Sequence, residues 1–242
     1  MDNNEEVKNQ IAENLLRVRE NIERAAKKSG RTAEDVRLIG VTKTIPPAAI
    51  QCLIDLGVRD LGENRAQELL AKQPLLDENL RWHFIGHLQT NKVRQVLDKV
   101  VLIHSVDSPR LAEEIDKRAG QLGLVMPVLL EVNIGEEPSK TGVAPGEFAH
   151  FVEQVLPYKN VRINGIMCVA PVKKTDIAVD IGKSNHVYFE KAREVLVDIQ
   201  CRYDTLKAMR ELSMGMTDDY IEAIEEGATM VRIGTGLFGR RA

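Results

Sequence analysis

The sequence predicts an α/β fold, a (β/α)8 TIM barrel with an extra N-terminal helix, as one domain over residues 1–242. Short β-rich runs alternate with segments of helical period, and such alternation implies parallel strands joined by right-handed crossovers. Eight such runs recur at a spacing of about thirty residues, which suits a closed barrel better than an open doubly wound sheet. No linker or low-complexity stretch divides the chain.

The first element is a helix over 5–28, where Val7, Ile11, Leu15, Val18, Ile22 and Ala25 recur every three or four residues and Gly30 offers a stop. Strands follow at 36–42, 57–61, 81–85, 100–104, 126–133, 161–168, 210–214 and 229–233. Helical segments lie near 47–56, 64–76, 91–98, 108–122, 145–156, 184–208 and 217–226. The stretch 169–184, "VAPVKKTDIAVDIGKS", reads as a loop over one end of the barrel. Thr217 followed by Asp218 and Asp219 resembles a helix N-cap with an acidic first turn.

Composition narrows the function. Hydrophobic residues make up 43% and charged residues 29%, the balance of a globular chain rather than a disordered one. A net charge of −3 with 4% aromatics supplies neither a phosphate-backbone footprint nor a base-stacking platform, so no nucleic-acid partner is expected. Cys52, Cys168 and Cys201 are odd in number and form no CxxC, which suits a reducing compartment and offers no zinc site. The start "MDNNEEVKNQ" is unlike a signal peptide and no apolar run is long enough to span a membrane, so a soluble, cytoplasmic protein is expected.

In a barrel, the loops after each strand share one face, where barrel enzymes place their sites. Alternation in "RLIGVTKTIPP" puts Ile39, Val41 and Lys43 on one face, so a lysine ends the first strand beside apolar neighbours. It is either a snorkelling strand end or an amine held for use. The loops after strands seven and eight, "LSMGMTDD" and "RIGTG", have the chemistry of a phosphate cradle. Ser213 and Thr235 offer hydroxyls, while Gly215, Gly234 and Gly236 let backbone N–H groups approach an anion. Alternatively, those glycines only close tight turns.

Arg232 alternates with Met230 and Gly234; if that face is inward, its guanidinium needs a bound anion or a salt bridge to a carboxylate such as Glu131. "GTGLFG" matches a dinucleotide fingerprint by spacing, but the helix, strand and acidic residue that the fingerprint needs do not follow it. His83 and His87, four apart across a strand end, read as core or loop histidines rather than metal ligands. Asn64 shares the barrel face of Lys43, as ligand contact or helix cap, and Lys140 is a second lysine in a loop on that face. Pyridoxal 5′-phosphate suits a strand-end lysine, a phosphate cradle and an arginine together, because it forms a Schiff base with lysine and anchors through its phosphate.

The motifs "VTKT", "LGENRAQE", "WHFIGHLQTNK", "HSVDS", "EEPSKTG" and "LSMGMTDDYIEAIEEGATMVRIGTGLFG" together closely resemble the pyridoxal-phosphate homeostasis proteins, from about residue 8 to 240. That family resembles in turn the barrel domain of alanine racemase. The resemblance implies pyridoxal phosphate on Lys43, with Ser213, Gly215, Gly234 and Thr235 on the phosphate, Arg232 facing the pyridine nitrogen and Asn64 beside the cofactor. It implies a protein that buffers or delivers the cofactor to apo-enzymes and shows no robust turnover; a monomer is expected. An arginine at the ring nitrogen keeps it unprotonated and weakens the ring as an electron sink, and the chain leaves no residues for the capping domain that racemases use. The rivals are a racemase-like enzyme of low activity and a cofactor-free Schiff-base aldolase.

Overall fold

Eight parallel strands close into a barrel in sequence order, each hydrogen-bonded to the next and β8 to β1. They are β1 (Arg37–Val41), β2 (Asp60–Glu63), β3 (Arg81–Phe84), β4 (Leu102–Val106), β5 (Met126–Val132), β6 (Val161–Cys168), β7 (Glu211–Ser213) and β8 (Met230–Ile233). The computed structural model describes residues 3–171 and 184–239, with side chains from Glu5 onward. The loop expected over 169–184 therefore lies mostly outside the described residues.

Helices α1 (Asn3–Lys28), α2 (Pro47–Asp55), α3 (Ala66–Lys72), α4 (Val93–Val96), α5 (Pro109–Gln121), α6 (Phe148–Val155), α7 (His186–Arg202), α8 (Tyr220–Glu225) and α9 (Thr235–Phe238) surround the sheet. Several expected helices are split. The 64–76 and 145–156 segments each combine an α-helix with a short 3-10 turn at Gln73–Leu75 and Pro145–Glu147. Each 3-10 turn carries proline in its first positions, where no N–H is missed. The short α9 was not expected, because Gly236 within it and the glycines on either side argue against helix.

Alternation along the strands separates two apolar layers. Outward residues such as Leu61, Trp82, Phe84, Ile103, Leu130, Ile166, Val231 and Ile233 join the helices in one continuous core. Inward residues Ile39, Leu102, Leu129, Met167 and Met230 form a separate cluster inside the barrel. Strand β2 begins three residues later than the pattern suggests, because its inward positions are Asp60 and Gly62 rather than apolar side chains. Those polar inward positions hide the strand from a hydrophobic reading.

The N-terminal helix packs on α2, α8 and α9. It buries Ile11, Leu15, Val18 and Ile22 there, and its Asn14 amide donates to the Leu237 carbonyl at 3.0 Å. Among the described residues, no helix is long and apolar enough to cross a membrane, and no cluster of metal-ligating side chains forms.

Closure between β6 and β7 depends on Gly165, where a Cβ would overlap the Glu211 carbonyl oxygen. Gly165→Ala is expected to cost about 2 kcal/mol or more. Gly146→Ala, in open space, should stay within about 0.5 kcal/mol of the parent. Urea unfolding of both variants checks the difference.

Candidate ligand-binding site

The carboxyl ends of the strands converge on one mouth, and Lys43 leaves β1 there with an exposed side chain. Its backbone is pinned on both sides. Behind the strand end, the Lys72 ammonium donates to the Thr42 carbonyl at 2.7 Å, to Glu63 Oε1 at 2.6 Å and to Glu68 Oε2 at 2.8 Å. Glu68 Oε2 also accepts the Thr44 N–H at 2.6 Å, and the Thr42 hydroxyl donates to Glu63 Oε1 at 2.7 Å. Thr44 adopts φ 62°, a left-handed conformation that β-branched residues rarely take. The carboxylate clamp holds that turn and so sets the direction in which Lys43 leaves the strand. Burial works to raise the Glu68 pKa, but the bonds from Lys72 and Thr44 outweigh it and bring it below the ordinary value.

Beside β1, the turns after β7 and β8 meet. The Gly236 N–H donates to Thr217 Oγ1 at 3.1 Å, and the Thr217 and Thr235 hydroxyls lie 3.2 Å apart. A Cβ on Gly236 would come within 2.9 Å of the Ile233 side chain and 3.1 Å of Thr217, so only glycine fits this cradle without displacing a neighbour. Gly234 abuts Val41, with its Cβ position 3.5 Å from the valine Cβ, which sets the cradle next to the strand that ends in Lys43. Gly215, at φ 88°, serves packing: a Cβ there would strike Ala223 and Tyr220 of α8, and its carbonyl accepts the Arg232 N–H at 3.0 Å.

Two readings change here. Thr217 does not cap α8: the N-cap position is Asp219, whose side chain turns back to accept the Met216 N–H at 2.7 Å rather than an N–H of the helix. Ser213 does not stand at the turn but points into the barrel, fully buried, between His104 Nδ1 at 2.9 Å and Arg232 Nη1 at 2.7 Å. Thr217, rather than Ser213, lies beside the Thr235 hydroxyl and the Gly236 N–H. Its hydroxyl was legible as a neighbour of the glycine-rich turn, had it not been assigned to the helix cap.

Arg232 is inward and buried, and its side-chain bonds go to Ser213 and the Cys168 carbonyl rather than to Glu131. Nη1 donates to Ser213, and Nη2 to the Cys168 carbonyl at 2.9 Å. Burial lowers the guanidinium pKa, yet a guanidinium keeps its proton in proteins. From Ser213 a hydrogen-bonded chain runs down the barrel. His104 Nε2 lies 2.9 Å from His83 Nδ1, and His83 Nε2 lies 3.0 Å from Asp60 Oδ1. Arg81 Nε donates to the same Asp60 oxygen at 2.9 Å. Burial favours the neutral Asp60 carboxyl, but the bonds from His83 and Arg81 overcome it and bring its pKa to about 2. Burial lowers His83, and lowers His104 well below the ordinary histidine value. His83 is thus a core histidine as expected, whereas His87 is exposed and bonded to Asp107 at 2.9 Å.

Asn64 stands at the end of β2 with its Oδ1 buried and without a hydrogen-bond partner. A buried orphan acceptor is costly, so this atom is poised for a polar ligand group. Glu131 is buried on β5 and accepts the Thr141 hydroxyl at 2.6 Å; burial raises its pKa. Lys140 lies in the same loop as Thr141, paired with Glu137 at 2.7 Å. The mouth thus presents an amine, an anion cradle, a buried fixed cation and an orphan amide. That donor set fits a small ligand carrying both an aldehyde and a phosphate.

Comparison with known proteins agrees with this inventory. The family model described as alanine racemase, N-terminal domain, matches residues 14–242, which defines the class as a barrel of the alanine racemase type. Pyridoxal phosphate homeostasis proteins of Aquifex aeolicus and Escherichia coli K12 are 45% and 38% identical to the chain. Each alignment covers 97% of the relative, with 95% and 96% of this chain respectively. The structure of PipY from Synechococcus elongatus with pyridoxal phosphate bound superposes with a TM-score of 0.81 at 37% identity, over 95% of this chain and all of that one. Alanine racemase of Clostridium difficile shares the fold, with a TM-score of 0.70 at 17% identity, and 57% of its chain is covered. The chain belongs to the pyridoxal phosphate homeostasis protein family.

Two outcomes are expected from the geometry. Lys72→Met leaves Glu63, which is fully buried, without its cation and should cost about 3–5 kcal/mol in chemical unfolding. His83 and His104 have lowered pKa values when folded, so below about pH 6.5 the unfolded chain takes up protons that the folded one refuses. Stability present at neutral pH should then fall on acidification, by no more than about 1.4 kcal/mol per pH unit for each histidine. The raised Glu131 works in the opposite sense but is one group against two. Urea midpoints at pH 7.5 and 5.5 check the slope, and removing both histidines should flatten it.

Proposed function

We propose that this chain binds pyridoxal 5′-phosphate at the barrel mouth, holds it as a Schiff base on Lys43, and buffers or delivers it to apo-enzymes without robust turnover. The observation that carries the reading is a lysine whose backbone is pinned on both sides, set next to an anion cradle and above a buried arginine. When bound, the cofactor supplies an aldehyde that an amine takes up and an electron-withdrawing ring. Lys43 supplies the amine. Thr217, Thr235, Gly234 and the Gly236 N–H bind the phosphate, with Gly215 shaping the turn from below. The Asn64 side chain gives its orphan oxygen a partner beside the ring. Arg232 faces the ring nitrogen, with Ser213 behind it. A permanent donor at that position disfavours a protonated ring, which supports holding over turnover. The protein is proposed to act as a cytoplasmic monomer, and the relatives' naming as homeostasis proteins supports a role other than that of an enzyme.

Titration of the purified protein with pyridoxal phosphate tests this. One visible band saturating at one equivalent per chain is expected, absent in Lys43→Ala. Thr217→Val should weaken binding about tenfold, the worth of one hydrogen bond to a charged group. Protein that takes up no cofactor overturns the reading and leaves the aldolase alternative. Exchange of an amino-acid α-hydrogen with deuterated solvent, lost in Lys43→Ala, would favour the racemase-like alternative instead.

A further inference from the structure

The four hydrogen bonds that link Asp60, His83, His104, Ser213 and Arg232 cross the barrel interior through groups that are all buried. Their direction follows from the two ends. Arg232 has no acceptor, so Ser213 Oγ accepts from it. The Ser213 hydrogen is then free for His104 Nδ1, which accepts it. His104 therefore carries its proton on Nε2 and donates to His83 Nδ1. His83 in turn carries its proton on Nε2 and donates to the Asp60 carboxylate. Each link has one donor and one acceptor, and both imidazoles are neutral. Reversing any link would set two donors or two acceptors face to face in a dry interior, which is the costly arrangement. A chain closed by a permanent donor at one end and a carboxylate at the other is a lock, not a route for protons.

Arg81 secures the far end. Its guanidinium bonds Asp60 through two nitrogens, and Arg37 lies 4.0 Å from the same carboxylate. At the near end, the Cys168 carbonyl takes the second guanidinium nitrogen. Arg232 is thus fixed by backbone on one side and by a polarised chain on the other.

We propose that Asp60, His83, His104 and Ser213 are positioning residues that lock Arg232 in one orientation, so that the site selects a ligand whose aromatic ring nitrogen accepts a hydrogen bond. The inference rests on the cofactor reading above, in which the ring nitrogen faces Arg232. His83 touches no ligand; it acts from inside the barrel through three successive bonds.

The test compares pyridoxal phosphate with its ring-carbon analogue, in which CH replaces the pyridine nitrogen, on the intact protein and on His83→Leu, His83→Gln and Ser213→Ala. The parent should bind pyridoxal phosphate about tenfold or more tightly than the analogue, the worth of one charge-assisted bond. His83→Leu and Ser213→Ala should shrink that ratio severalfold, by weakening the natural ligand and sparing the analogue. His83→Gln, which keeps an N–H for Asp60 and an oxygen for His104, should restore it. Equal weakening of both ligands would mean a structural role only and overturn the proposal. A parent that binds both ligands equally overturns it too, by removing the ring-nitrogen contact. A parent that binds neither ligand overturns the cofactor reading itself.

Nitrogen-15 spectra of histidine in the unmodified protein keep the proposal falsifiable should the variants fail to fold. Both rings are expected as neutral Nε2–H tautomers, and an Nδ1–H tautomer or a cationic ring at neutral pH overturns it.

Discussion

A guanidinium that cannot shed its proton lies buried inside this barrel, and the interior is arranged around it. Arg232 sits among apolar side chains that offer it nothing, so its N–H groups must find oxygen. They find the Cys168 carbonyl and the Ser213 hydroxyl. Committing Ser213 as an acceptor turns its hydrogen toward His104, and from there the need for partners passes through His83 to Asp60 at the base of the sheet. One buried charge thus accounts for a serine on β7, histidines on β4 and β3 and a carboxylate on β2, positions where barrels ordinarily carry branched apolar residues. The pairing with Asp60 and Arg81 returns the charge to the edge of the barrel, where solvent shares the cost.

The mouth answers to a second constraint, the strained turn at Thr44. A β-branched residue at φ 62° costs about 1–3 kcal/mol, and such strain persists only where its surroundings overdetermine it. Here Glu68 holds the N–H of Thr44, while Lys72 holds both Glu68 and the carbonyl of Thr42. The residue between them is Lys43. The strain sits where a reactive amine is proposed, and the clamp that holds it comes from Glu68 and Lys72 of α3 with Glu63 at the end of β2. The two networks meet at β2, which supplies Asp60 to one and Glu63 to the other, without sharing a residue: one fixes what the ligand's ring would meet from below, the other fixes the amine at its rim.

Much of the architecture was legible because helices and strands here announce themselves by period. The N-terminal helix, the eight strands in order and the inward aim of Arg232 all follow from alternation and spacing. The parts that were not legible share one cause: polar residues chosen by partners distant in sequence. Strand β2 was displaced by three residues because Asp60 and Gly62 do not look like strand interior until His83 and Ile85 are seen beside them. Ser213 reads as a phosphate ligand from its glycine neighbours, and only the packing of β4 against the barrel axis brings His104 to it. Thr217 reads as a cap because two aspartates follow it, yet α8 has its N-cap position two residues further on at Asp219, and the Thr217 hydroxyl meets the Gly236 N–H instead. Lys72 gave no sign at all, since a lysine late in a helix is ordinarily solvated.

The claim that most needs testing is that Lys43, among all the lysines of the chain, is the amine that holds the ligand. Borohydride reduction of the protein with one equivalent of pyridoxal phosphate, followed by mass mapping of its peptides, tests this directly. The account expects the added phosphopyridoxyl mass on the peptide that contains Lys43, in near-stoichiometric yield, with Lys72 and Lys140 unmodified. A mass spread over surface lysines, or concentrated on Lys140, would contradict it.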